Sequence, residues 1–372
     1  MRLVQTAIAG AIALAAHTSA LAAPDSAQDV ETVAERLMSG GDITAETRAL
    51  LVVQDGEVVQ EHYAPGYDAT QRHVSWSMAK SVTSAIVGRL VEMGLVDSVH
   101  ALMPSPYHGK SALSGRTWHD YLTMTDGLDY TEIVEEGVEL PLSEQDVVQM
   151  MYGPGRFDVV AWIRDNVGEA HPPGERWNYS TAGYHLIGRA IQQVIGTSGD
   201  PAATSEWLGR EVFGPLGMDS AVFEYDAAGT LLGGSLVYAT ARDFAKFGQL
   251  YLDDGRLADG TRFLPEGWVD YSRTGETGDD HNIYGAGFWP SVESPTHERS
   301  KMSGPYDAFH AGGHEGQTIW IVPSRDLVTV RLGLMPNSPE TWSGLFEANQ
   351  AIARSLAPAS AGHSAQGDAN RD

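Results

Sequence analysis

Cysteine is absent from the 372 residues, and lysine occurs only four times, so most of the basic side chains are arginine. Without cysteine there can be no disulfide, no lipid-modified cysteine after a leader and no thiolate metal site. Long apolar runs are scarce too. The most apolar one, Ala7-Ile8-Ala9-Gly10-Ala11-Ile12-Ala13-Leu14-Ala15-Ala16, is too short for a stable membrane anchor. It follows Arg2 and precedes the small residues Ala20-Leu21-Ala22, the pattern of a secretory signal over residues 1–22, which predicts a periplasmic or secreted protein. Positive charge is also in deficit. A formal net charge of −25 repels phosphate backbones and argues against nucleic acid as a partner. No internal repeat is present, and no serine has glycine both two before and two after it, which excludes the nucleophile elbow of α/β-hydrolases.

What is present centres on one of the four lysines. Lys80 lies three residues after Ser77 in Ser75-Trp76-Ser77-Met78-Ala79-Lys80-Ser81, and no other lysine has a serine at that spacing. On a helix, residues three apart share a face with Cβ atoms roughly 5–6 Å apart, so the amine can reach the hydroxyl. Apolar residues at 82, 85, 86, 90 and 93 continue with nearly helical period, so the pair is expected to open a buried helix. The helix start offers unpaired N–H groups and positive potential to a nucleophilic oxygen and a developing oxyanion.

About 350 residues after the signal exceed what one layered core usually needs, which predicts two lobes. Residues 49–53, an Asp55-Gly56 turn and residues 57–63 read as a β-hairpin. Residues 319–322 and 327–332 read as a second hairpin, and 340–356 as a final helix. The expected domain covers residues 30–356, with an α/β lobe from 30–115 and 251–356, a helical lobe from 116–250, and a disordered tail at 357–372. The cleft between the lobes is the natural site.

A serine nucleophile needs a second proton handler, oxyanion donors and a substrate wall. Trp177-Asn178-Tyr179-Ser180-Thr181 puts Tyr179 in a loop just before a helix, where a phenol near Lys80 can carry a proton. Phe309-His310-Ala311-Gly312-Gly313-His314-Glu315-Gly316-Gln317 supplies glycines that let backbone approach a ligand. The His310 and His314 spacing raises a metal site, but zinc at that spacing needs a helix and a third ligand, and the glycines argue against a helix. No metal or cofactor is called for. Trp76, beside the nucleophile, is a pocket wall or core residue; Tyr130 is a candidate substrate contact. Asp146 and residues 135–144 read as solvated loop that, if facing the cleft, would favour a substrate with a free amine.

Ser77-Met78-Ala79-Lys80, Tyr179-Ser180-Thr181 and His310-Ala311-Gly312 resemble the three active-site motifs of the class C β-lactamase and penicillin-recognising superfamily. Leu122-Thr123-Met124-Thr125-Asp126-Gly127-Leu128, Gly214-Pro215-Leu216-Gly217-Met218 and Thr240-Ala241-Arg242-Asp243-Phe244-Ala245-Lys246-Phe247-Gly248 resemble supporting stretches, in the right order, over about 46–356. Within it the chain most resembles 6-aminohexanoate-dimer hydrolases and related carboxylesterases. The resemblance implies an α+β fold, an antiparallel sheet flanked by helices with an inserted, mainly helical lobe. It implies an acyl-enzyme on Ser77, with either Lys80 or Tyr179 as base, and an oxyanion hole from the N–H groups of Ser77 and Gly313. His310 and Gly312 would then line the pocket beside Tyr179.

Two departures bear on the substrate. Thr181 stands where β-lactamases of this type carry asparagine, and His310 where they carry lysine, so the expected substrate is a small ester or linear amide. A β-lactamase or D-amino-acid peptidase of the same fold is the alternative. A non-catalytic exported binding protein is a second, but the serine, lysine and tyrosine are all retained.

Overall fold

A computed structural model of the chain describes residues 29–40, 45–105, 115–132, 141–274, 284–291, 307–336 and 338–356. The expected signal at 1–22, the tail at 357–372 and most of the acidic segment 135–144 lie outside them. The N-terminal part supplies helix α1 (Val30–Met38), strands β1 (Glu46–Gln54) and β2 (Glu57–Tyr63), a short β3 (His73–Val74) and helix α2 (Met78–Glu92). The middle supplies α3 (Trp118–Leu122), β4 (Leu128–Asp129), α4 (Asp146–Met151), α5 (Val159–Asn166), β5 (Gly168–Glu169), α6 (Thr181–Val194) and α7 (Pro201–Leu208). Strands β6 (Val222–Phe223) and β7 (Val237–Ala239) follow. The remainder is α8 (Ala241–Leu252), α9 (Trp268–Arg273), β8 (Trp289–Pro290), β9 (Phe309–Gly313), β10 (Gln317–Val322), β11 (Leu327–Leu334) and α10 (Pro339–Ser355).

Both termini build one antiparallel six-stranded sheet in the order β2-β1-β11-β10-β9-β8. The first hairpin turns at Asp55 and Gly56, both in the left-handed region (φ 50° and 75°), as a two-residue Asp-Gly hairpin loop requires. Its strand β1 is buried on both faces. Leu50 and Val52 join a layer with α1 and α10, whereas Ala49, Leu51 and Val53 join the larger core with α2 and α8. This explains the unbroken apolar run at 49–53 where a half-exposed strand would alternate.

Helix α2 is enclosed on nearly all sides, from Met78 to Gly88 and again at Leu90. Its buried hydroxyls bond loop carbonyls: Thr83 donates to Gly233 (2.7 Å) and Ser81 to Gly287 (2.5 Å). It is thus the joint between the sheet and the middle of the chain, with the Ser77 end at the interface.

One boundary needs correction. Helix α8, assigned from sequence to the helical lobe, lies on the sheet. Gly248 comes so close to β10 and β11 that a Cβ there would sit 2.6 Å from Val328 and 2.9 Å from Ile319. Periodicity identifies a helix's buried face but not the surface that buries it. The lobe also contains short strands, β4 paired with β5, and β6 with β7.

Candidate active site

Ser77 precedes α2, and the backbone just before it is held in an unusual shape. Trp76 has φ +45°, a conformation that costs a bulky residue on the order of 1–3 kcal/mol and persists only where its surroundings enforce it. Those surroundings are visible. Ser75 donates its N–H to the Val237 carbonyl (2.7 Å), accepts the Val237 N–H at Oγ (3.0 Å) and donates Oγ–H to Trp76 O (2.9 Å). From the other side β9 closes in: a Cβ on Gly313 would lie 2.3 Å from the Ser75 carbonyl. Glycine is therefore required at 313, and the end of the third motif lies against the serine turn.

The turn after Gly313 is fixed by Arg331, which is buried and donates to the carbonyls of Glu315 (2.8 Å), Gly316 (3.1 Å), Glu46 (2.9 Å) and Leu334 (2.7 Å). Burial lowers its guanidinium to about 10. Glu315 here takes φ +60°. A buried cation spent on carbonyls thus shapes the loop that presents Gly313.

Lys80 is fully buried, and its Nζ has three oxygens within hydrogen-bond reach: Ser77 Oγ (3.1 Å), Thr181 Oγ1 (2.7 Å) and the Gly234 carbonyl (2.8 Å). Burial pulls its ammonium down to about 8, with the Glu132 charge opposing part of that fall. The Gly234 peptide is gripped at both ends, since its N–H donates to His185 Nδ1 (3.2 Å). That bond places the imidazole proton on Nε2, facing Met151 Sδ at 3.0 Å. Burial, with a contribution from Lys80, lowers His185 to about 3, so it stays neutral.

Tyr179 lies immediately before Ser180, whose hydroxyl caps α6 by accepting the Gly183 N–H (3.0 Å). Its ring face is turned to Lys80, with Nζ 4.8 Å from the centroid. Trp289 stacks on it at 5.7 Å, and Trp177 and Tyr284 meet it edge-on at 6.3 and 6.0 Å.

The loop at 123–132 is tied to the second motif. Asn178 donates its N–H to Met124 O (2.9 Å) and its amide to Leu128 O (3.2 Å) and Tyr130 O (2.9 Å). Gly127, at φ +72°, fits where a Cβ would strike the His171 carbonyl at 2.0 Å. The result sets Glu132 against Thr181. The Thr181 N–H donates to Glu132 Oε2 (2.8 Å) and its hydroxyl to Oε1 (2.7 Å).

The structure brings Ser77, Lys80, Tyr179 and Gly313 together. It sets other candidates apart. His310 pairs with Trp320 across β9 and β10, on the sheet face toward α10, and its ring meets Phe346 at 5.2 Å. It is buried, lowered to about 3 by burial, and Trp289 stacks on both it (6.5 Å) and Tyr179. Gly312 lies beside the His310 ring. The His314 ring meets Trp76 edge-on at 5.6 Å, so the two histidines of the third motif have different neighbours. Tyr130 is buried, and burial, with Glu132 and Asp146 adding, raises its phenol well above its ordinary value. Asp146 is not free loop: it opens α4 and accepts the Thr131 N–H (2.8 Å). Sequence reading passed over Glu132, His185 and Gly234. Nothing marks Glu132, 49 residues from its partner; the Gly233-Gly234 pair was the one available hint for a close backbone approach.

The beta-lactamase family model matches residues 14–351, and the chain belongs to that family. Its α+β fold, with an antiparallel sheet between helices, is that of beta-lactamases and penicillin-binding proteins, and it is a hydrolase of the serine beta-lactamase superfamily. It is 27% identical over 316 residues to the 6-aminohexanoate-dimer hydrolase of Paenarthrobacter ureafaciens, covering 80% of this chain and 76% of that one. Among solved structures, a beta-lactamase from Mycobacterium bovis aligns with TM-score 0.61 and 18% identity over 88% of this chain and 100% of the other. A D-stereospecific amidohydrolase from Streptomyces aligns with TM-score 0.59 and 14% identity over 87% and 98%. No helix among the described residues is long and apolar enough to cross a membrane.

Proposed function

We propose that the protein is an exported serine hydrolase that cleaves small esters or linear amides through an acyl-enzyme on Ser77. The observation that carries this reading is the fully buried Lys80 amine 3.1 Å from Ser77 Oγ. Burial favours its neutral form, which is the form that can take a proton. As Ser77 Oγ bonds the substrate carbonyl carbon, its proton passes to Lys80, and the carbonyl oxygen becomes an oxyanion held by the N–H groups of Ser77 and Gly313. Tyr179, beside Lys80, delivers a proton to the leaving alcohol or amine and recovers one from the Lys80 ammonium, so the serine proton ends on the leaving group. Water then cleaves the ester on Ser77.

Two features favour esters and linear amides over β-lactams. The Thr181 hydroxyl is engaged between Lys80 and Glu132 and presents no side-chain amide to a substrate. His310 is buried and neutral, and so supplies no cation for a β-lactam carboxylate. The similarity to a 6-aminohexanoate-dimer hydrolase agrees with a linear amide.

Rates on p-nitrophenyl butyrate, a linear 6-aminohexanoate dimer and nitrocefin, each measured with wild type and Ser77→Ala, test the reading. Hydrolysis of the ester or the dimer, abolished in the variant, is expected. Turnover of nitrocefin alone would replace it with the β-lactamase alternative, and turnover surviving in Ser77→Ala would remove the serine mechanism.

A further inference from the structure

We infer that Glu132 is a positioning residue that acts through Thr181 to aim the free electron pair of Lys80 at Ser77. The inference rests on the reading of Ser77 as nucleophile and Lys80 as base.

Thr181 has a single hydroxyl hydrogen, and the Glu132 carboxylate takes it at 2.7 Å. The same carboxylate takes the Thr181 main-chain N–H at 2.8 Å, so both its oxygens are engaged and the threonine is held in one rotamer. Toward Lys80 the threonine oxygen can then only accept. The Gly234 carbonyl, the second neighbour, can also only accept. A neutral Lys80 has two N–H bonds, and these two oxygens consume both. The remaining tetrahedral direction carries the lone pair, and it faces Ser77 Oγ. When the serine proton transfers, it forms the third N–H on that side while the other two hydrogen bonds stay as they were. No group has to turn during the step.

Without Glu132 this order is lost. The Thr181 hydroxyl would be free to rotate and donate to the Lys80 lone pair, in competition with Ser77. Glutamine cannot substitute, because one of its two terminal atoms is an NH2 donor facing either the Thr181 N–H or its hydroxyl. Other groups around Lys80 leave this role open. The Tyr179 and Tyr184 rings meet the amine with their faces, at 4.8 and 6.0 Å, and His185 reaches it only through the Gly234 peptide.

The test uses purified full chain and p-nitrophenyl butyrate. Glu132→Gln and Thr181→Val should each lower kcat roughly tenfold to hundredfold with KM within about twofold, because the base is misaimed while binding is untouched. The double variant should be no slower than the slower single one, since both remove one device. In Glu132→Gln the acidic limb of the kcat/KM profile should move to lower pH, because the negative charge that favours the Lys80 ammonium is gone. Thr181→Ser keeps the hydroxyl and should stay near the wild-type rate. A Glu132→Gln enzyme with wild-type kcat and an unmoved limb, or losses that multiply in the double variant, would overturn the inference. If Glu132→Gln does not fold, equal rates in Thr181→Val and Thr181→Ser do so. Failure of the underlying reading would show separately, as hydrolysis surviving in Ser77→Ala.

Discussion

Lys80 Nζ lies closer to Thr181 Oγ1 (2.7 Å) than to Ser77 Oγ (3.1 Å). The two residues are 101 positions apart in the chain, and their contact joins the start of α2 to the start of α6. The Lys80 amine is therefore anchored by the second motif and only faces the first. Its position depends on the contact between α2 and α6.

Protonation of Lys80 should be visible in rate and in stability. With the ammonium lowered to about 8 by burial, kcat/KM on a neutral ester should rise through about pH 8 and level off above it. For stability, between about 8 and 10.5 the unfolded chain holds the lysine proton and the folded chain does not, so raising pH over that window favours the fold. Denaturant melts should show wild type gaining on Lys80→Met between pH 7.5 and 10 by on the order of 1–3 kcal/mol. A constant difference across that range would mean the amine is not desolvated.

Tyr179→Phe keeps the ring packing and removes the phenol. If the phenol carries the leaving-group proton, kcat should fall about a hundredfold. A variant as fast as wild type would leave Tyr179 as part of the aromatic cluster alone.

Gly313→Ala puts a methyl 2.3 Å from the Ser75 carbonyl, and that carbonyl belongs to a backbone pinned to Val237. Either β9 or the strained Trp76 turn must move. If the Gly313 N–H holds the oxyanion, the loss should fall on kcat, about tenfold or more, because that donor is displaced. A shift confined to KM would place Gly313 in substrate binding instead.

Asp126 is buried, with one oxygen accepting the Leu128 N–H at 2.9 Å, and burial raises its carboxyl from 3.8 to about 7. Between those values the folded chain holds a proton that the unfolded chain has lost, so stability falls as pH rises and the loss is complete above about 7. Asp126→Asn carries no such proton. Urea melts at pH 5 and 8 should show a drop in wild type that the variant lacks, on the order of 1–3 kcal/mol. Equal drops would show that Asp126 ionises normally.

The sequence by itself determined whatever depends on local spacing. Ser77 and Lys80 share a helix face because three residues separate them. The Asp55-Gly56 hairpin follows from two residues that accept left-handed backbone, and the apolar runs at 49–53 and 319–322 mark strands with no solvent face. Motif order was enough to indicate the family. Only the tertiary structure decided which distant groups meet. His310 lies on the face of β9 toward α10, because alternation along a strand assigns it to the face opposite Ala311, and no local pattern tells which face borders the cleft. Helix α8 joined the sheet for the same reason. Glu132 lay in an unremarkable acidic stretch until Asn178 and Gly127 folded its loop onto Thr181. Hydrogen bonds across 49 and 101 residues leave no periodic trace in a sequence, so the Ser77–Lys80 pair was legible while the carboxylate behind it was not.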